Sequence, residues 1–214
     1  MLELIPQNKS GGIRFLRQLK YQPIVSTVLV AVNAFIFVMC HFWGELIYSA
    51  GGLSVYSILV RKEYDRILWS MFLHSGIDHL FNNMLLLFFL GSMIEKEIGH
   101  ARYAVLYFLS GIGGNLFSLW IRAMRYDPAV SLGASGAVFG LDGALLAMVL
   151  FWGVKMENVT LPRVMLMILC SLYNGFMGQN IDNAAHVGGL LTGFLAAAVM
   201  CMIERRKRKR QGDY

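Results

Sequence analysis

Apolar residues in this chain fall into long, nearly uninterrupted blocks. Six stand out, at about residues 24–43, 79–94, 102–121, 135–152, 162–178 and 185–203. A helix needs about 20 apolar residues to cross the hydrocarbon core of a bilayer, with about 17–25 tolerated. The second block is short, and the fourth begins at Ser135 itself. The pattern predicts an all-α, polytopic membrane protein. Its domains are an N-terminal cytoplasmic segment over 1–23, one bundle of six transmembrane helices over 24–203, and a basic cytoplasmic tail over 204–214.

Composition agrees. The 214 residues are 57% hydrophobic and 15% charged, against about a quarter charged in soluble domains. The first 20 residues show no apolar core followed by a small-residue cleavage site, so no cleavable signal is expected. Sidedness follows from Lys and Arg. With both termini cytoplasmic, the inner side holds Lys9, Arg14, Arg17, Lys20, Lys96, Arg102, Lys155, Arg163 and the run from Arg205 to Arg210. The outer side holds only Arg61, Lys62, Arg66, Arg122 and Arg125. The net charge of +6 therefore reads as an inner-face anchor beside anionic lipid, and no nucleic-acid partner is expected. Cys40, Cys170 and Cys201 lie in apolar blocks without metal spacing and read as packing residues.

The long outer loop, about residues 44–78, interleaves Tyr48, Tyr56, Tyr64 and Trp69 with apolar residues. Short amphipathic helices half sunk in the outer leaflet are expected there.

With this topology, blocks two, four and six all start at the outer side. Each carries polar residues at its start: His79 and Asn83, Ser135, and His186. Polar groups inside lipid are costly and mark functional sites. Small residues beside two of them allow close helix approach: Gly136 and Gly140 after Ser135, and Ala185, Gly189 and Gly193 around His186. A serine hydroxyl within reach of an imidazole is a nucleophile with its general base. The Ser135 amide at a helix start has no intrahelical partner, and His79 and Asn83, four apart, share a helix face. These are candidate donors to an oxyanion.

Taken singly, Ser135 is a packing serine, His186 a buried histidine bonded to a carbonyl, and Asn83 helix glue. Their common depth is what sets those readings aside. A zinc site from His74, His79 and His186 lacks an HExxH run and a carboxylate at useful spacing. A transporter would show an inverted repeat and polar residues through to the inner side, which are not seen. Asp142 lies about 10 Å along the helix from Ser135 and reads as structural. Glu95, Lys96 and Glu97 read as a solvated helix end, and Asp182 with Asn183 as a cap on the last helix.

The runs Gly133-Ala134-Ser135-Gly136, His79 with Asn83, and Ala185-His186 with Gly189 and Gly193, in this order on six spans, resemble the rhomboid intramembrane serine proteases. The resemblance covers about residues 20–203 and implies a six-helix rhomboid-like bundle. It implies Ser135 as nucleophile and His186 as base, with no acidic third member. It also implies an oxyanion hole from His79, Asn83 and the Ser135 amide. Gly133, Gly136, Phe139, His74 and Gly189 take supporting roles: Phe139 packs on the imidazole, and His74 orders the site. The chain departs from the family at Asp65, where a tryptophan often precedes the arginine corresponding to Arg66.

The implied activity is cleavage of single-span membrane proteins at the outer face of the cell membrane. The protein would act as a monomer in the lipid bilayer, with no cofactor and no metal. The alternative is a catalytically inactive relative that binds membrane clients. Gly175 and Gly178 in the fifth span are candidate pivots for substrate entry.

Overall fold

The computed structural model describes residues 21–151, 161–177 and 181–211. Lys9, Arg14, Arg17, Lys20, Lys155 and Gly178 lie outside the described residues.

The first long helix, α1, covers Ile24–Gly51. It outruns the expected span: at Trp43 the backbone turns non-helical (φ −130°, ψ 30°), and the helix resumes beyond this kink. Two short helices follow in the loop, α2 (Val55–Leu59) and α3 (Arg66–Trp69), the latter continuing into a 3₁₀ turn over Ser70–Phe72. Ser54 and Ser57 cap α2 reciprocally. Exposed Tyr56, Leu59, Tyr64 and Trp69 give this loop the apolar surface expected of an interfacial segment. Arg66 anchors it despite Asp65: its side chain is buried, donates to the Gly52 carbonyl at 2.9 Å and pairs with Glu63 at 2.6 Å.

The remaining helices are α4 (Ile77–Ile98), α5 (His100–Arg125), α6 (Ser135–Phe151), α7 (Leu161–Met177) and α8 (Asn183–Gln211). Four of the long helices, α1, α4, α5 and α8, are long and apolar enough to cross a membrane, and α6 is a shorter apolar helix. All six long helices coincide with the six apolar blocks. Only Gly99, at φ +84°, separates α4 from α5.

An unbroken run from Gly136 to Leu145 is buried, so α6 is enclosed on all sides, as a helix apolar all round must be. Its most extensive packing is with α8, then α5. Glycines set this distance. A Cβ on Gly193 would stand 2.6 Å from the Gly140 Cα, and one on Gly114 3.4 Å from the Gly136 Cα, so backbones touch directly. The outside of the bundle carries exposed Phe35, Phe89, Leu166 and Leu195, a surface suited to hydrocarbon.

One sequence expectation fails. Glu95 is fully buried, not solvated. It accepts from the Val25 and Ser26 amides (2.8 and 2.9 Å), from Ser26 Oγ (2.6 Å) and from His100 Nδ1 (2.5 Å). Amides at the start of a helix have no intrahelical acceptor, so a carboxylate from α4 caps α1.

Candidate active site

Ser135 is the first residue of α6 and is half-buried. His186 sits in the first turn of α8 and is 5% exposed. Close packing of the two helices brings His186 Nε2 to 3.0 Å from Ser135 Oγ. Gly189 makes that approach possible: a Cβ there would stand 2.8 Å from the Gly136 carbonyl carbon. Phe139, one turn below Ser135, stacks on the imidazole with ring centroids 4.0 Å apart and planes 10° apart. This fixes the ring plane on one side. Among the described residues, His186 Nδ1 has no hydrogen-bond partner.

Gly133 precedes the helix at φ +125°, a backbone that favours glycine. A Cβ there would stand 2.9 Å from His79 Cε1 and Nε2, and 3.8 Å from Asn83 Nδ2. Both side chains of α4 thus press on the turn that delivers Ser135. Asn83 Nδ2 is buried and without an acceptor among the described residues. His79 Nδ1 lies 3.2 Å from Ser75 Oγ. With the hydroxyl donating there, Nε2 carries the proton and faces Gly133 as a donor.

His74 lies under this layer, fully buried before α4. Its Nε2 is 3.5 Å from the Ala134 amide, and its ring meets that of His79 edge-on at 5.1 Å. Tyr48 donates to its carbonyl at 2.5 Å. Burial, and after it the neighbouring His79, push the His74 imidazole down from 6.5 to about 3, so it is neutral. Among the described residues, no three His, Cys, Asp or Glu side chains converge as a metal would require. Asp142 is buried farther down α6 and does not join the Ser135–His186 pair.

Three contacts that sequence reasoning missed hold the loop before Ser135. Ser131 pairs with Leu53 as an isolated antiparallel bridge, and the Gly133 amide donates to the Ser70 carbonyl at 2.8 Å. Ser131 Oγ also donates to Asp182. Ser131 lies four residues before Ser135, but nothing in the sequence pairs it with position 53 or 182.

The family model described as Rhomboid domain matches residues 61–203. The chain belongs to the rhomboid family. It is 38% identical over 154 residues to RHOMBOID-like protein 4 of Arabidopsis thaliana, covering 71% of this chain and 38% of that protein. It is 36% identical over 151 residues to Rhomboid protease GluP of Bacillus subtilis (strain 168), covering 71% of this chain and 29% of that one. It is also 40% identical over 144 residues to Inactive RHOMBOID-like protein 8 of Arabidopsis thaliana, covering 66% and 40%. The chain thus spans less than half the length of each of these rhomboid relatives. The all-α bundle is the fold of this rhomboid chain.

Proposed function

We propose that this rhomboid is an intramembrane serine endopeptidase working through a Ser135–His186 dyad. The observation that carries the reading is the 3.0 Å approach of His186 Nε2 to Ser135 Oγ, with Asn83 Nδ2 nearby and without an acceptor among the described residues. His186 takes the hydroxyl proton as Ser135 Oγ attacks a peptide carbonyl. The oxyanion is met by the Ser135 amide, Asn83 Nδ2 and His79 Nε2–H. The imidazolium returns its proton to the leaving amine, and the ester on Ser135 is then hydrolysed by water activated by the same ring. Ser135 and His79 are partly exposed, which lets water in.

Both termini face the cytoplasm, by the Lys and Arg asymmetry, and the site faces the outer side of the cell membrane. Substrates are single-span membrane proteins. Helical amides are bonded and shielded, so cleavage favours spans with small or helix-breaking residues near their outer end. The protein acts as a monomer.

A relative named as inactive makes family membership insufficient on its own to assign activity. The presence of Ser135, His186 and the side-chain donors His79 and Asn83 favours the active reading over a client-binding one. The test is cleavage of a single-span reporter in liposomes by wild type, Ser135→Ala and His186→Ala. Each variant should lose about 10³-fold or more in kcat while its helical content and thermal midpoint stay unchanged. Cleavage surviving Ser135→Ala would overturn the mechanism. A panel of diverse reporters left uncut by wild type would favour client binding.

A further inference from the structure

One carboxylate outside the dyad gathers contacts from every segment that delivers it. Asp182 immediately precedes α8, its side chain 13% exposed. Its Oδ1 accepts from the Ala185 amide at 3.0 Å, and its carbonyl accepts from the His186 amide at 3.2 Å. Its Oδ2 accepts from Ser118 Oγ on α5 at 2.5 Å and from Ser131 Oγ on the loop before α6. Arg122 of α5 lies 3.3 Å from the same oxygen through Nη2, and holds Asp127 at 2.7 Å through Nη1. Asp127 in turn accepts from the Ala129 amide of that loop at 2.9 Å.

The geometry has a specific consequence. Ser131 stands four residues before the nucleophile and Asp182 four before the base. Their bond joins the two chain segments immediately upstream of the reacting atoms. The Leu53 bridge and the Ser70 carbonyl fix the same loop from its other side. A helix cap alone needs one carboxylate oxygen, and here Oδ1 performs that task. Oδ2 is therefore free to serve the loop and α5. Burial alone would raise the Asp182 pKa. Ser118, Ser131, the Ala185 amide and Arg122 together outweigh it and hold the carboxyl below its usual range, so it accepts from all of them.

We infer that Asp182 is a positioning residue that sets the distance between Ser135 and His186, by tying the loop before α6 to the start of α8. It touches neither the hydroxyl nor the imidazole. This inference rests on the dyad reading above. It adds a residue to the machinery of a dyad that has no acidic third member.

The experiment uses the full chain in liposomes and reads three quantities: the rate at which a fluorophosphonate probe labels Ser135, kcat and KM on the reporter, and the thermal midpoint. The probe reports the activated hydroxyl without a docked peptide. Asp182→Asn keeps the shape and one acceptor but loses the charge. Probe labelling and kcat should fall together about 10- to 100-fold, with KM within about twofold, because misplacing reacting groups by about 1 Å costs on the order of 10²-fold.

Ser131→Ala leaves the cap and the Arg122 pair in place and removes only the loop tie. It should lower labelling several-fold, and it decides the matter if Asp182→Asn does not fold. A lowered midpoint with labelling per folded molecule unchanged in both variants would make Asp182 a cap only and overturn the inference. Wild type that fails to label, or labels equally after His186→Ala, would instead bring down the dyad reading and this inference with it.

Discussion

Carboxylates organise both ends of the bundle, yet they do different work. At the end that carries Ser135 and His186, the Asp182 carboxylate collects Ser118, Ser131, Arg122 and the Ala185 amide. At the opposite end, Glu95 collects two α1 amides, Ser26 and His100. Glu95 lies sixteen residues beyond His79 on the same helix, about 24 Å away along its axis. The first carboxylate holds the segments that deliver Ser135 and His186. The second fastens α1 to α4 and touches nothing in the site. The same device, a carboxylate satisfying helix-start amides, thus serves the proposed dyad at one end and plain stability at the other.

Glu95→Ala puts the sharpest strain on that distinction. It leaves the Val25 and Ser26 amides and the Ser26 hydroxyl without their acceptor, and each buried donor left unsatisfied costs about 1–3 kcal/mol. Reversible unfolding in mixed micelles should show that loss. The rate of Ser135 labelling per folded molecule should stay at the wild-type level. A fall in labelling comparable to that of Asp182→Asn would mean the two ends are coupled, and the comparison would collapse.

A smaller effect should come from adding single methyl groups. A Cβ on Gly189 runs into the Gly136 carbonyl beside the site, whereas a Cβ on Gly91 would stand 2.8 Å from Ser26 Oγ at the Glu95 end. Overpacking of this kind costs about 1–3 kcal/mol. Gly189→Ala should lower both stability and Ser135 labelling, because relief requires α8 to move off α6. Gly91→Ala should lower stability alone. Equal labelling by the two variants, measured on the folded fraction, would contradict the assignment of the α6–α8 contact as the one that sets the dyad.

Much of this was readable before any coordinates. The blocks placed the long helices, because membrane spans need continuous apolar runs. Ser135, His186, His79 and Asn83 could be placed at one end, because alternate spans start on the same side. The glycine spacing showed where α6 and α8 could touch. Glu95 could not be read. Within a Glu-Lys-Glu run at a helix end it looks solvated, and its α1 partners are about seventy residues away in the chain. Asp182 was half readable. The cap onto Ala185 is local, but Ser118 and Ser131 arrive from other elements. The extension of α1 past Trp43 was hidden because aromatic residues there suit an interfacial loop as well as a kinked helix. The helix beyond Ile203 is different in kind: Glu, Arg and Lys are good helix formers, and α8 simply continues through them.

The mildest test sets the two ends against each other by pH. At the Ser135 end, His74 is buried and neutral, with its pKa pushed down to about 3 by burial first and His79 second. The unfolded chain binds a proton below about 6.5, and the folded chain does not until about 3. The stabilisation is therefore complete above 6.5 and is lost as pH falls from there toward 3, by at most about 1.4 kcal/mol per unit. At the Glu95 end, Tyr21 donates to the Glu95 carbonyl at 2.7 Å, and its phenol is pushed up from 10 to about 12 by burial first and Glu95 second. Its contribution is complete below 10 and is lost as pH rises toward 12. Unfolding midpoints across pH should thus show an acid limb that flattens in His74→Gln and an alkaline limb that flattens in Tyr21→Phe. Other carboxylates and tyrosines titrate in the same ranges, so the quantity to compare is the change of slope between each variant and wild type. An acid limb unaltered by His74→Gln would mean that the imidazole takes up its proton in the folded chain near the ordinary value. The layer beneath His79 and Ala134 would then have to be open to water.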